Sequence, residues 1–148
     1  MSHTYTSNRI HLVFSTKNRA RIISEELQPR LWAYISGIAR NQGFEAIIVG
    51  GVHDHIHALL VLPPTMPLSK AVQFLKGSSS KWINENGDGN FAWQEGYGAF
   101  SVSASQTDDL VRYIKNQAAH HARRNFEDEF RALLQRYGVA YDPMRVLG

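Results

Sequence analysis

Histidines occupy alternate positions in His53-Asp54-His55-Ile56-His57, just before the apolar run Ala58-Leu59-Leu60-Val61-Leu62. Side chains two apart on a strand leave the same face, so any two neighbouring imidazoles there can converge on one cation. Far downstream, Asp109, Tyr113, Gln117 and His121 recur at every fourth position. On a helix that spacing stacks Tyr113 and Gln117 one turn apart on a single flank. A tyrosine hydroxyl is a poor nucleophile at its free pKa of about 10, so a reactive one needs a metal or base beside it and an electrophilic phosphate to attack. The histidine strand can supply such a metal site. Two imidazoles plus an amide oxygen leave vacant positions and suit Mg²⁺, Mn²⁺ or another divalent Lewis acid, zinc included, unlike a closed structural zinc site.

Taken singly, each of these residues also fits an ordinary structural place: a histidine on a partly buried strand face, a tyrosine at a core edge, an amide at the surface. Lys76 and Lys81 around Ser78-Ser79-Ser80 could line a phosphate path or a solvated helix face. Trp82, Trp93, Tyr97 and Phe100 could stack on bases or fill a core.

Composition sets the outer limits. The chain has 148 residues, 43% hydrophobic and 20% charged, which predicts one domain over residues 1–148 with a core of its own. No apolar run approaches the roughly 18–20 residues of a membrane span. There is no cysteine for a disulfide or thiolate site, and Met1-Ser2-His3-Thr4 leads into no signal-peptide core, so a cytoplasmic location is expected. The net charge is +3, and 11 of the 16 cations are arginine, the side chain best shaped to grip phosphate, which leans toward a nucleic-acid partner.

The elements that must position these residues are predicted as follows. Residues 9–16 form strand one, buried on one face or on both. The basic loop Lys17-Asn18-Arg19-Ala20-Arg21 leads to a helix marked by Leu27, Leu31, Tyr34, Ile35 and Ile38, stopped at Gly43. Phe44 to Val49 is strand two, Gly50-Gly51 a turn or bulge, and residues 53–62 the histidine strand, pairing antiparallel with strand two. Thr65 caps a second helix through Leu68, Val72, Leu75 and Ile83, interrupted at Gly77-Ser78-Ser79-Ser80. After a loop over 86–90, Ala99 to Ser103 is strand four. Thr107, Asp108 and Asp109 open a third helix whose buried ridge is Leu110, Ile114, Ala118 and Ala122. A last helix from Phe126 to Tyr137 carries Phe126, Phe130, Leu133, Leu134 and Tyr137 on one stripe and ends at Gly138. The order predicts an α+β fold: a ferredoxin-like split βαβ with an antiparallel sheet and helices on one face, plus C-terminal helices carrying the tyrosine.

The motifs in this order resemble the single-tyrosine HUH transposases of the insertion-sequence 200/605 group and their repeat-associated relatives. The naming motif, histidine-hydrophobic-histidine, is His55-Ile56-His57; His53, with Asp54 between, fits it less well. The companion motif, a tyrosine followed four residues later by glutamine, is Tyr113 to Gln117. Leu12-Val13-Phe14-Ser15-Thr16-Lys17, Lys76-Gly77-Ser78-Ser79-Ser80-Lys81-Trp82 and Trp93-Gln94-Glu95-Gly96-Tyr97-Gly98 extend the resemblance over nearly the whole chain. It implies that His55, His57 and Gln117 hold a divalent metal, Mg²⁺ or Mn²⁺, on the scissile phosphate of single-stranded DNA. Tyr113 would attack to leave a 5′-phosphotyrosine and a free 3′-hydroxyl. It further implies DNA with hairpin ends as partner and a homodimer, with Arg19, Arg21, Lys76, Lys81, Arg123 and Arg124 as candidate backbone contacts. No matched motif assigns a role to His53, His120 or His121; orienting the metal ligands is one that histidines so placed could fill. Two other readings fit the same residues: a domesticated, repeat-associated hairpin-DNA-binding protein without transposition, and a metal-dependent phosphodiesterase using water.

Overall fold

The computed structural model describes residues 3–87, 89–121 and 124–146. Four strands, β1 (Arg9–Ser15), β2 (Glu45–Gly51), β3 (His55–Val61) and β4 (Gly98–Val102), form one sheet in the order β2-β3-β1-β4. Every pairing is antiparallel. With α1 (Leu27–Asn41) between β1 and β2, and α2 (Leu68–Glu85) between β3 and β4, this is the predicted split βαβ arrangement.

Helices cover both faces of the sheet, whereas one covered face was expected. Leu12, Phe14, Ile56, Ala58 and Leu60 share a core with Leu31 and Ile35 of α1 and Val72 and Leu75 of α2. On the opposite face Val13 and Phe100 pack against α5 (Phe126–Arg136), and Leu59 and Val102 pack with Ile114 of α3 (Thr107–Lys115). The apolar stripe of the last helix finds its partner there. This is why β1 and β3 read as nearly unbroken apolar runs: strands buried on both sides need no alternation.

Three local expectations change with packing. Gly50 and Gly51 lie within β2, and the turn falls at residues 52–54, so His53 sits outside the strand. The glycines are needed for close approach: a Cβ on Gly50 would come within 2.8 Å of the Ile114 carbonyl oxygen. The second helix runs unbroken through Gly77-Ser78-Ser79-Ser80, because Ser79 and Ser80 return their hydroxyls to carbonyls one turn back and Ser79 also accepts from Trp93 Nε1 at 2.9 Å. Its N-cap is Pro67 and no side chain caps it, so Thr65 does not act as predicted. Of the aromatics considered for stacking, Trp93 and Phe100 are buried, Trp82 stacks on Tyr34, and Tyr97 is exposed.

Gly50→Ala is expected to cost about 1–3 kcal/mol by forcing α3 from the sheet. Gly77→Ala, whose new methyl meets nothing within 4 Å on an exposed helix position, should gain about 0.5–1 kcal/mol. Urea unfolding of the two variants beside the parent protein checks both signs.

Candidate metal and tyrosine site

The β3 pleat sends His55 and His57 to the face covered by α3 and α5, beside His11 of β1. All three are essentially inaccessible to solvent. The helix bearing the tyrosine then breaks at Asn116 and resumes as α4 (Gln117–His121). The predicted ridge through Leu110, Ile114 and Ala118 therefore ends at Ile114. Ala118 is exposed, Ala122 lies outside the described residues, and Gln117 is the buried residue instead. The break turns the flank of Tyr113, Gln117 and His121 onto the histidine strand.

Gln117 Oε1 lies 3.1 Å from His55 Nε2 and 3.0 Å from His121 Nε2. A carboxylate that no sequence motif singles out completes the group. Glu129 Oε1 stands 3.0 Å from His57 Nε2, 3.4 Å from His55 Nε2 and 3.1 Å from His121 Nε2. Tyr113 donates its hydroxyl to the other oxygen, Glu129 Oε2. Glu129 reaches this position because the Asn125 side chain caps α5, accepting from the Asp128 amide at 2.9 Å, and because Phe126 stacks on the His55 ring at 4.3 Å. The available signal was an acid set three residues after Phe126 and beside Phe130 on an apolar stripe.

Two further partners orient the imidazoles from behind. His55 Nδ1 meets Asp54 Oδ1 at 2.7 Å, and His57 Nδ1 meets His11 Nε2 at 2.8 Å. Such contacts hold each ring so that Nε2 faces the centre of the group. Burial, with help from the charge on His57, pushes the pKa of His11 down to about 3, so it stays neutral. Burial also lowers His57, against the raising influence of Glu129. For His55, burial is outweighed by hydrogen bonds to Asp54 and Glu129, which raise its pKa. Burial would raise Glu129, but its hydrogen bonds to His121, His55 and His57 hold it well below the usual carboxylate range. Burial and then Glu129 push the Tyr113 hydroxyl up.

The donor chemistry fits a cation. With its proton on Nδ1 toward Asp54, a neutral His55 presents a bare Nε2 lone pair to the oxygens of Gln117 and Glu129. The carboxylates that raise the pKa of His55 favour positive charge at this point, whether a proton on Nε2 or a cation in its place. The ligand atoms of His55, His57, His121 and Glu129 all lie within 4.8 Å of one another, and imidazole nitrogen with carboxylate and amide oxygen suits Mn²⁺, Mg²⁺ or Zn²⁺.

A cavity of about 360 Å³ opens onto Tyr113 and Glu129, floored by Leu110 and Leu133 and rimmed by Arg124 and Arg136. Arg19, Arg21 and Lys81 are exposed elsewhere on the surface. The Lys76 ammonium donates to the carbonyls of Gln94 and Gly96 at 2.6 and 2.9 Å, holding that loop and leaving one N–H for another acceptor. Arg123 lies outside the described residues. His53 stays in the turn, where its carbonyl accepts from the Ile23 amide at 3.0 Å, and the His120 ring lies 4.6 Å from that of Tyr113.

The family described as IS200-like transposases matches residues 4–117 by its sequence profile. The chain belongs to the IS200-like transposase family. Among its relatives, the ISDra2 transposase TnpA of Deinococcus radiodurans is 27% identical, over 72% of this chain and 81% of that protein. The transposase for insertion sequence element IS200 of Salmonella typhimurium is 29% identical, over 79% of this chain and 81% of that one. A crystal structure of a D. radiodurans protein superposes with a TM-score of 0.64 at 25% identity, covering 79% of this chain and 96% of the other. A REP-associated tyrosine transposase bound to a REP hairpin shares the fold, with a TM-score of 0.60 at 17% identity over 82% and 73% of the two chains. Within the matched family segment lie His55, His57, Tyr113 and, as its final residue, Gln117; His121, Glu129 and all of α5 lie beyond it.

His11 gives this site a pH signature. Its folded pKa of about 3 is below the ordinary 6.5, so between those values the unfolded chain takes up a proton that the folded chain refuses. Stability from this group is complete above pH 6.5 and falls as pH drops, by about 1.4 kcal/mol per pH unit. In EDTA-treated protein, His11→Gln should flatten the dependence of unfolding free energy on pH between 6.5 and 4.5 by that slope. An unaltered slope would show that His11 titrates normally.

Proposed function

We propose that this chain nicks and rejoins single-stranded DNA through a covalent tyrosine intermediate, as a metal-dependent step of transposition. One observation carries the reading: two motifs more than fifty residues apart meet in a buried cluster, with Gln117 Oε1 3.1 Å from His55 Nε2 and Tyr113 linked to His57 through a single carboxylate. Within the family, that meeting joins a nucleophile to a Lewis-acid site.

In this reading His55, His57 and Gln117 hold the ion. When bound, a divalent ion such as Mg²⁺ or Mn²⁺ supplies Lewis acidity to the scissile phosphate and stabilises its developing charge. Asp54 and His11 keep the two imidazoles aimed inward. Tyr113 Oη forms the bond to phosphorus as the bond from phosphorus to the 3′-oxygen breaks. The 5′ side stays on the protein as a phosphotyrosine, and the proton lost from Tyr113 Oη is balanced by the one that the departing 3′-oxygen takes up to become a hydroxyl. Attack by a new 3′-hydroxyl reverses the step and joins the strands without a nucleotide cofactor. The cavity beside Tyr113, with Arg124 and Arg136 at its rim, is the approach for the strand, and Arg19 and Arg21 are backbone contacts for a hairpin.

Tyr113→Phe is expected to abolish covalent capture of a hairpin-bearing single-stranded oligonucleotide in Mn²⁺, read as a shifted band on a denaturing gel. Capture at the parental level would exclude Tyr113 as nucleophile. Replacing Arg19 and Arg21 together by alanine should weaken hairpin binding and reduce the slope of log affinity against log salt by about 0.7–0.9 for each phosphate no longer neutralised. Fluorescence anisotropy across a salt series measures it, and an unchanged slope removes both arginines from the interface.

A further inference from the structure

Glu129 touches both halves of the site. It is fully buried, and among the described residues its ionic partners are all imidazoles. A carboxylate withdrawn from water needs strong compensation. Three ring nitrogens at 3.0, 3.4 and 3.1 Å converge on one of its oxygens, and those of His55 and His121 also face Gln117 Oε1. A cation among them converts the cluster into a ligand set. We propose that Glu129 is a further ligand of the divalent ion and, through its second oxygen, the positioning residue for the Tyr113 hydroxyl. The inference rests on the metal-dependent reading above and adds a residue from α5, outside the family-matched segment.

The placement of Glu129 is built into the sheet. Gly98 of β4 stands opposite Val13, and a Cβ there would lie 2.5 Å from the Phe130 ring, so the missing side chain is what lets α5 dock. Phe130, Leu133 and Leu134 then anchor the helix on Val13 and Phe100, and Phe126 rests on the ring of His55. One face of α5 thus carries both its apolar anchors and the carboxylate. Sharing that carboxylate between ion and hydroxyl holds the nucleophile beside any phosphate bound to the same ion, the kind of orientation that makes attack effectively unimolecular. Glu129 therefore couples docking of the last helix to assembly of the site.

Calorimetric titration of metal-free protein with MnCl₂ tests the proposal. Glu129→Gln should bind Mn²⁺ about tenfold or more weakly than the parent protein, and Glu129→Asp should recover part of the loss. At saturating Mn²⁺ the glutamine variant should show a lower kcat for oligonucleotide capture at unchanged KM. Equal or tighter Mn²⁺ binding by Glu129→Gln overturns the proposal, and tighter binding would make the carboxylate a plug in the metal position. If the glutamine variant does not fold, the anomalous map of parent crystals soaked in Mn²⁺ decides. An ion about 2.2 Å from a Glu129 oxygen supports ligation, and one beyond about 3 Å overturns it. The two readings fail separately. Parent protein that binds Mn²⁺ through Glu129 but never captures DNA overturns the nicking function alone, whereas DNA capture with Mn²⁺ affinity indifferent to Glu129 overturns only the ligand.

Discussion

A strand buried on both faces has no side that can leave imidazoles in water, and β3 is such a strand. Its pleat sends Ile56, Ala58 and Leu60 toward α1 and α2, so His55 and His57 must enter the opposite layer. Buried polar groups need partners, and a strand cannot supply them along its own face. Asp54 comes from the turn before it, His11 from the neighbouring strand, Gln117 from α4, and Glu129 from α5. The second layer of helices thus does more than cover an apolar sheet. It brings the groups that make two buried histidines tenable.

The break at Asn116 is the local consequence. A continuous helix through residue 121 would keep Ala118 in line with Leu110 and Ile114 as a buried ridge. The interruption leaves that alanine in solvent and buries Gln117 instead, trading a small apolar surface for an amide whose oxygen meets two imidazoles. Local helix regularity yields to satisfaction of buried polar groups, whose desolvation costs more than burial of a methyl gains. The close approach of this helix to the sheet depends on Gly50, and that of α5 depends on Gly98. Two absent side chains therefore set the depth at which the tyrosine and the carboxylate sit.

The same packing decides which cations stand beside the tyrosine. Lys76 spends two of its three N–H groups on the loop carbonyls of Gln94 and Gly96, while Arg124 and Arg136 stand at the mouth of the cavity beside Tyr113. Charge on the rim of a partly apolar cavity acts through a low-dielectric wall and so acts more strongly on a phosphate than the same charge on an open face.

Much of this was legible in the residues themselves. The alternation of His55 and His57, the one-turn spacing of Tyr113 and Gln117, the order of strands and helices, and the resemblance those motifs carry all follow from backbone periodicities of two and 3.6, which are local properties. Even the unassigned apolar stripe of the last helix announced that something must cover it. What periodicity cannot encode is which elements meet across the sheet. His11 reads as an interruption in an apolar strand, His121 as one more residue on a helical flank, and Glu129 as an acid in the first turn of a helix, where acids are favoured for the dipole alone. Only tertiary packing put those three around His55 and His57, because the partners of a buried charge are chosen by the three-dimensional satisfaction of its hydrogen bonds and not by neighbours in the chain.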